Sequence, residues 1–169
     1  MAYPLQPEDL SFVDRAPVVL QAETIVDASP AAVWPAFADA AAWPEWFAGV
    51  HEVRFTSPAP HGVGSTRFVH VETFKANETL LAFDVDRRFA FRVDSANLPA
   101  LNAMVEMITL EPAGGGTRVV YRQALDPKWW IKPLFPLVRT QMERALRRGL
   151  AGLGPWAARR AQRTAFPQS

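Results

Sequence analysis

Three titratable residues of the sequence, Glu106, His70 and Tyr121, have side chains that could carry out acid–base chemistry. In the stretch "MVEMITL", Glu106 shares one face of a predicted strand with three apolar residues, Met104, Ile108 and Leu110. A carboxyl group among apolar neighbours has its pKa raised by desolvation, which would make Glu106 a general acid or base near neutral pH. The alternative is the reverse orientation of the strand, which leaves Glu106 in water.

His70 and Tyr121 lie on other predicted strands and carry the same ambiguity. In "TRFVHVETF", His70 shares a face with Phe68. If that face points inward, His70 could donate to a ligand carbonyl or shuttle a proton; otherwise it is a surface residue or a satisfied one. An inward Tyr121 could bind a polar ligand group or simply fill the core. Together with Glu106, the two residues would form a polar cluster in an apolar pocket, which is typical of small-molecule sites.

Other classes of site are poorly represented in the sequence. The absence of cysteine excludes disulfides, thiol nucleophiles and thiolate metal sites. The three histidines lack metal-ligand spacing, so we expect no metal. The glycines at 114–116 follow Pro112 as a turn rather than as a phosphate-binding loop, and the nucleophile elbow G-x-S-x-G does not occur. We therefore expect no cofactor.

Charge is distributed unevenly along the chain. Residues 1–127 carry 9 Lys/Arg against 16 Asp/Glu, whereas residues 128–169 carry 9 against a single acid, Glu143. The basic C-terminal part could meet an anionic partner, or it could be a solvated helix whose arginines complement its own dipole. Its arginines are not interleaved with exposed aromatic residues, so we expect no nucleic-acid binding.

The elements that would position these residues belong to one domain of 169 residues. A strand over 17–27 is followed by a helix that Ser29 caps and Pro30 begins, and Pro35 predicts a kink or a short helix there. A second short helical turn ends near Gly49. About six antiparallel strands follow between residues 50 and 125, with "EPAGGGT" as the clearest hairpin turn.

The period of the apolar residues changes beyond Pro133 and Pro136. A helical stripe at spacings of three and four predicts one long amphipathic helix; its members are Leu134, Val138, Met142, Ala145, Gly149 and Leu153. "GLGPW" should stop that helix and leave a frayed tail. Only this helix can cover the apolar face of the sheet, and a sheet curled around it could enclose a cavity.

The stretches "ASPAAVW", "WPEW", "FDVDRRFAF" and "EPAGGGTRVVYR" occur in an order that resembles the START-like (SRPBCC) superfamily of polyketide cyclases, dehydrases and lipid-transport proteins. The likeness runs from about Ala22 to Leu153. It implies an α+β helix-grip fold, a curved antiparallel sheet wrapped around a long C-terminal helix with an apolar pocket between them. Pro35 departs from the family pattern, in which an ordinary residue continues the first helix.

We therefore expect an N-terminal arm over 1–15, the helix-grip domain over 16–154 and a basic tail over 155–169. The first functional hypothesis is binding or transport of a lipid, polyketide or aromatic metabolite. The alternative is a polyketide cyclase or dehydratase that uses Glu106, His70 and Tyr121. The N-terminus lacks a signal peptide and no apolar run could span a membrane, which predicts cytoplasmic residence.

The residues expected to touch a ligand share apolar or polar-tipped side chains on inward faces, or lie on the helical stripe. They are Trp46, Phe68, Phe89, Phe91, Met104, Ile108, Gln123, Trp129, Trp130, Val138, Met142 and Gly149.

In "DPKWWIKPLF" the two tryptophans point to opposite sides, so one of them should cap the pocket while the other packs on the outer surface or lies exposed. The flanking lysines keep a second interpretation open, in which this stretch contacts an anionic membrane surface.

Overall fold

A computed structural model describes residues 2–165, without the side chain of Ala165. It contains one curved antiparallel sheet with the strand order β2-β8-β7-β6-β5-β4-β3, and a two-residue strand, β1, that pairs with β6. The strands are β1 (Tyr3–Pro4), β2 (Val18–Val26), β3 (Val50–Phe55), β4 (Thr66–Val71), β5 (Phe74–Asp84), β6 (Arg88–Ala96), β7 (Leu101–Ala113) and β8 (Gly116–Pro127).

The helices lie at the two ends of the chain and between β2 and β3. They are α1 (Phe12–Arg15), α2 (Pro30–Val33), α3 (Pro35–Ala38), α4 (Trp43–Trp46), α5 (Phe135–Ala151) and α6 (Leu153–Ala165). Short 3-10 turns over Ala40–Ala42 and Lys132–Leu134 precede α4 and α5. This arrangement confirms the predicted α+β helix-grip fold. None of the helices within residues 2–165 has the length and apolar character that a membrane crossing requires.

The short helices begin where the sequence predicts. The N–H of Ala32 donates to Ser29 Oγ at 3.3 Å, and Pro30 occupies the first helical position. Pro35 begins a new helix, α3, instead of continuing α2, because it lacks the N–H that the helix interior needs. The aromatic side chains of this region, among them Trp43 and Trp46, are buried against the inner face of the sheet.

The outer face of the central strands is also covered. Phe12 and Val13 of α1 pack against Ala103, Val105 and Ala124, which point away from the inner core. Val105 and Glu106 are consequently both buried although they lie on opposite faces of β7. Burial on both faces explains why the residue pattern of this strand could not decide its orientation.

The C-terminal part differs from the prediction. The predicted frayed tail from residue 155 is instead helical as far as Ala165, and its last four residues lie outside the described part of the chain. Trp156 is buried, and its indole N–H donates to Glu45 Oε2 at 2.9 Å. Pro155 lies in the first turn of α6, where a missing N–H costs no helical hydrogen bond. "GLGPW" is therefore a break between two helices rather than a stop.

Candidate functional site

A cavity of about 470 Å³ lies between the inner face of the sheet and α5. Most of its wall is apolar and comes from the sheet, α5 and the segments that lead into them. The apolar lining includes Trp43, Phe47, Val50, Val69, Val71, Phe74, Leu98, Leu101, Met104, Ile131, Phe135, Val138, Met142 and Leu146. Five polar residues also line it: Arg67, Glu78, Glu106, Tyr121 and Gln123.

Arg67 and Glu78 form a buried ion pair in the cavity wall. Arg67 Nε lies 2.6 Å from Glu78 Oε2, and the two side chains are 2% and 5% exposed. A two-residue turn joins β4 to β5 and sets the register that places these residues opposite each other. Burial raises the pKa of the Glu78 carboxyl, and the charge of Arg67 opposes that shift.

The guanidinium of Arg67 is also surrounded by aromatic rings. Its central carbon lies 4.8 Å from the ring centroid of Trp43, 5.1 Å from that of Phe89 and 4.2 Å from that of Phe91. Such contacts stabilise a desolvated cation. Within residues 2–165, Arg67 Nη1 has no hydrogen-bond partner. A donor of this kind in a cavity wall can bind an oxygen of a ligand.

Glu106 forms the second half of the polar wall. The hydroxyl of Tyr121 donates to Glu106 Oε2, and Gln123 Nε2 donates to Glu106 Oε1 at 3.2 Å. Burial, followed by the negative charge of Glu78, raises the pKa of Glu106 to about 7. Burial and the neighbouring Glu106 raise the pKa of the Tyr121 phenol well above its ordinary value, so Tyr121 remains a donor.

The charges of this polar wall favour an uncharged ligand group. Arg67 and Glu78 neutralise each other, and Glu106 changes from neutral to negative near pH 7. A hydroxyl or carbonyl group meets both donors and acceptors here, whereas a carboxylate would meet the charge of Glu106. Glu106 can also accept or release a proton at neutral pH.

The structure brings some of the predicted site residues to this cavity. Glu106 and Tyr121 lie in direct contact. The other predicted residues that line the cavity are Met104, Gln123, Val138 and Met142.

Two predicted residues lie on the opposite face of β4. His70 does not reach the cavity; its ring centroid is 4.9 Å from that of His51. Phe68 packs beneath the guanidinium of Arg54, at 4.9 Å from the ring centroid. The expected inward orientation of this face is wrong, because Arg67, not Phe68, is on the side that faces the core.

Four predicted ligand contacts are core residues instead. Trp46, Phe89, Phe91 and Ile108 belong to the buried cluster and do not line the cavity. The indole N–H of Trp46 donates to the carbonyl of Ala36 at 2.9 Å, so it is satisfied without a ligand.

Gly149 makes room for a side chain and not for a ligand. A Cβ at this position would lie 2.5 Å from Cε1 of Phe47, and Phe47 itself lines the cavity. The close packing of α5 on this ring therefore requires glycine.

Neither of the adjacent tryptophans lines the cavity. Trp129 is 80% exposed and Trp130 is 45% exposed. The expectation that one of them caps the pocket is wrong, because Ile131 occupies that place in the wall.

The polar residues that the sequence interpretation missed are Arg67 and Glu78. The available signal was the hairpin: a turn at Glu72 and Thr73 makes Arg67 face Glu78, and opposite charges at paired positions stabilise such a hairpin. The signal would have placed the two charges together, but it carries no information about which face is buried.

Comparison with known proteins supports this architecture. A family model described as "Polyketide cyclase / dehydrase and lipid transport" matches residues 17–155. The uncharacterized protein Rv2574 of Mycobacterium tuberculosis (strain ATCC 25618 / H37Rv) is 29% identical over 152 residues, which cover 89% of this chain and 91% of that protein.

Solved structures share the fold at low sequence identity. The Zhui aromatase/cyclase from Streptomyces sp. R1128 superposes with a TM-score of 0.72 at 16% identity, covering 85% of this chain and 95% of that one. The protein TTHA0849 from Thermus thermophilus superposes with a TM-score of 0.69 at 18% identity, covering 84% of this chain and 98% of that one.

Proposed function

The chain belongs to the polyketide cyclase/dehydrase and lipid-transport family, and from that premise we propose that its cavity binds a hydrophobic small molecule with an uncharged polar group. The observation that carries the proposal is a cavity of about 470 Å³ with an apolar wall and one buried polar cluster. Apolar pockets with a few converging polar groups are the usual form of small-molecule sites. The apolar wall would take a lipid, polyketide or aromatic skeleton, and the polar cluster would take a hydroxyl or carbonyl group.

The polar cluster should also favour an uncharged ligand over a carboxylate of the same chain length. Above about pH 7, Glu106 is negatively charged, and the charge of Arg67 is already balanced by Glu78. We expect a long-chain alcohol to displace the neutral dye Nile red at concentrations roughly tenfold lower than the matching fatty acid does. Equal displacement by both would contradict the assignment of the polar cluster as the ligand's polar contact.

A cavity-filling substitution tests the binding site itself. Met142 lines the cavity, whereas its neighbour Gln141 is exposed and does not. Met142→Trp should weaken Nile red binding by roughly tenfold or more, because the larger ring occupies space that the dye needs. Gln141→Trp is the matched control on the same helix and should bind as the wild type does. If the two variants bind the dye equally well, the dye lies elsewhere and the proposal fails.

A second function, cyclisation or dehydration of a polyketide, is favoured by one specific observation. Glu106 has a pKa of about 7 inside an apolar cavity, the range in which a carboxyl group serves as a general acid or base. In that role Glu106 would remove a proton from a carbon next to a carbonyl group of a bound poly-β-keto chain. Arg67 Nη1, which has no partner among residues 2–165, would donate to the developing oxyanion.

Binding and turnover can be separated experimentally. Glu106→Gln keeps the size of the side chain and its acceptor oxygen but cannot exchange the proton. If the protein is a cyclase, this variant should keep Nile red binding and lose turnover by roughly a hundredfold or more. An unchanged rate on a poly-β-keto substrate would remove Glu106 from the proposed role, while leaving the binding proposal intact.

A further inference from the structure

The large apolar side chains exposed at the surface are concentrated at one place. Nine such residues are exposed within the described part of the chain, and six of them lie at position 98 or between positions 129 and 138. These six, which we name the apolar rim, are Leu98, Trp129, Trp130, Leu134, Leu137 and Val138. The other three are scattered singly on separate elements, as is normal for a protein surface. A concentration of this kind marks an interaction site.

The apolar rim lies at the opening of the cavity. Its two segments meet where the N–H of Lys128 donates to the carbonyl of Ala100 at 3.0 Å. Leu98 and Val138 belong both to the rim and to the cavity lining. A surface that covered the rim would therefore also face the cavity entrance.

The charges beside the rim are positive. Residues 95–105 contain no charged side chain, and residues 127–142 contain Lys128, Lys132 and Arg139 without any acid. Beyond the two segments, Asp126 lies 3.9 Å from Lys132 and Glu143 lies 2.9 Å from Arg139, so each of these acids faces one of the cations. α5 continues with further arginines. Tryptophan mixed with leucine and lysine suits the boundary between lipid headgroups and acyl chains.

We propose that the apolar rim docks on a membrane surface that contains anionic lipid. The rings of Trp129 and Trp130 and the side chains of Leu134 and Leu137 enter the headgroup region, and the lysines contact lipid phosphates. Docking in this orientation opens the cavity towards the acyl chains, so a hydrophobic molecule can pass between bilayer and cavity without crossing water. A second copy of the chain fits the rim less well, because a two-fold contact would bring its cations close to those of the partner.

Vesicle sedimentation tests the proposal without any ligand. The full chain is mixed at low salt with vesicles of phosphatidylcholine alone, or of phosphatidylcholine with a third of phosphatidylglycerol. We expect clear binding to the anionic vesicles and much weaker binding to the neutral ones. Replacing both tryptophans (Trp129→Ala with Trp130→Ala) should weaken binding by roughly tenfold or more. Each substitution removes the favourable free energy of moving an apolar ring from water into the bilayer. Ile25→Ala, at an exposed apolar residue outside the rim, is the control and should bind as the wild type does.

The charged residues give a separate readout. Lys128→Gln with Lys132→Gln should reduce the preference for anionic vesicles by roughly twenty-five-fold, because each cation near the surface contributes about a fivefold change. The proposal is overturned if the wild type does not sediment with anionic vesicles at low salt, or if the double tryptophan variant sediments equally well. It is also overturned if light scattering shows that the wild type is a dimer and that the double tryptophan variant is a monomer. Nile red binding, measured in the absence of vesicles, reports on the cavity alone and stays independent of these outcomes.

Discussion

Glu106 makes the stability of the folded protein depend on pH in a defined window. Its pKa is raised from 4.5 to about 7 by burial and by the charge of Glu78. Between these values the folded protein keeps a proton that the unfolded chain has released, so the free energy of unfolding falls as pH rises. The contribution of Glu106 is complete below about pH 4 and is lost by about pH 8. At about 1.4 kcal/mol for each pH unit in this window, the loss is about 3 kcal/mol.

Urea unfolding of the wild type and of Glu106→Gln, at about pH 5 and about pH 9, measures this loss. We expect the wild type to lose about 3 kcal/mol more than the variant between the two conditions, because glutamine has no proton to release. Comparing the two proteins cancels the other titrating groups. Glu111→Gln removes an exposed carboxylate from the same strand and is the matched control. If the wild type and Glu106→Gln lose equal stability, Glu106 is not held in a desolvated site and the reasoning fails.

A change at Tyr121 should shift the same window. The hydroxyl of Tyr121 donates to the carboxylate of Glu106 and lowers its pKa. Tyr121→Phe removes that donor, so the pKa of Glu106 should rise further and the loss of stability should extend to higher pH. The same unfolding series shows this as a displaced midpoint; a midpoint displaced to lower pH would contradict the assigned hydrogen bond.

Two further predictions concern the walls of the cavity. Arg67→Met should destabilise the protein by about 3–5 kcal/mol at about pH 8, because Glu78 is left buried and unpaired, whereas Arg67→Met with Glu78→Leu should recover most of that loss in urea unfolding. Arg54→Met, which breaks an exposed pair, should cost about 1 kcal/mol or less, and an equal cost for Arg67→Met would refute the burial argument. Gly149→Ala should push the Phe47 ring into the cavity and weaken Nile red binding, while Gly149→Ala with Phe47→Ala should restore it. If Gly149→Ala binds the dye as the wild type does, the Phe47 ring does not move into the cavity and the prediction is wrong.

The order of the elements could be predicted because its signals are local. The Ser29 cap, the proline at position 30 and the helical stripe after Pro136 each depend on residues within a few positions of one another. Family resemblance then supplied the arrangement of the elements in space. The local signals and the family resemblance agreed, and the observed fold is the predicted one.

The polar part of the site could be predicted only in part, because it depends on contacts between distant residues. Alternation placed Glu106 and Tyr121 each on a strand face with apolar neighbours, but it left open whether those faces point inward. Arg67 is buried beside Glu78, and three aromatic rings from other parts of the chain enclose it. Nothing in "TRFVHV" shows that its arginine, rather than its phenylalanine, lies inward.

The second C-terminal helix, α6, was not predicted for a similar reason. Glycine and proline at 152–155 are usual helix-ending residues. Gly152 does end α5, but it also permits a close approach to α4, since a Cβ would lie 1.9 Å from the carbonyl oxygen of Trp46. The indole of Trp156 bonds to Glu45 and helps to hold α6 in place. The two residues are more than a hundred positions apart, so the sequence around Trp156 does not predict this contact.

The exposed first turns of α5 have a consequence for how this protein can diverge. The buried residues of α5 are Phe135 at its start and Leu146, Gly149 and Leu150 near its end. Val138 and Met142 between them line the cavity; Met142 packs against the core, whereas Val138 is 40% exposed. Mutations at Val138 can therefore change the shape of the ligand site at a small cost in folding stability. Selection for a new ligand can act there while the sheet and α6 preserve the fold.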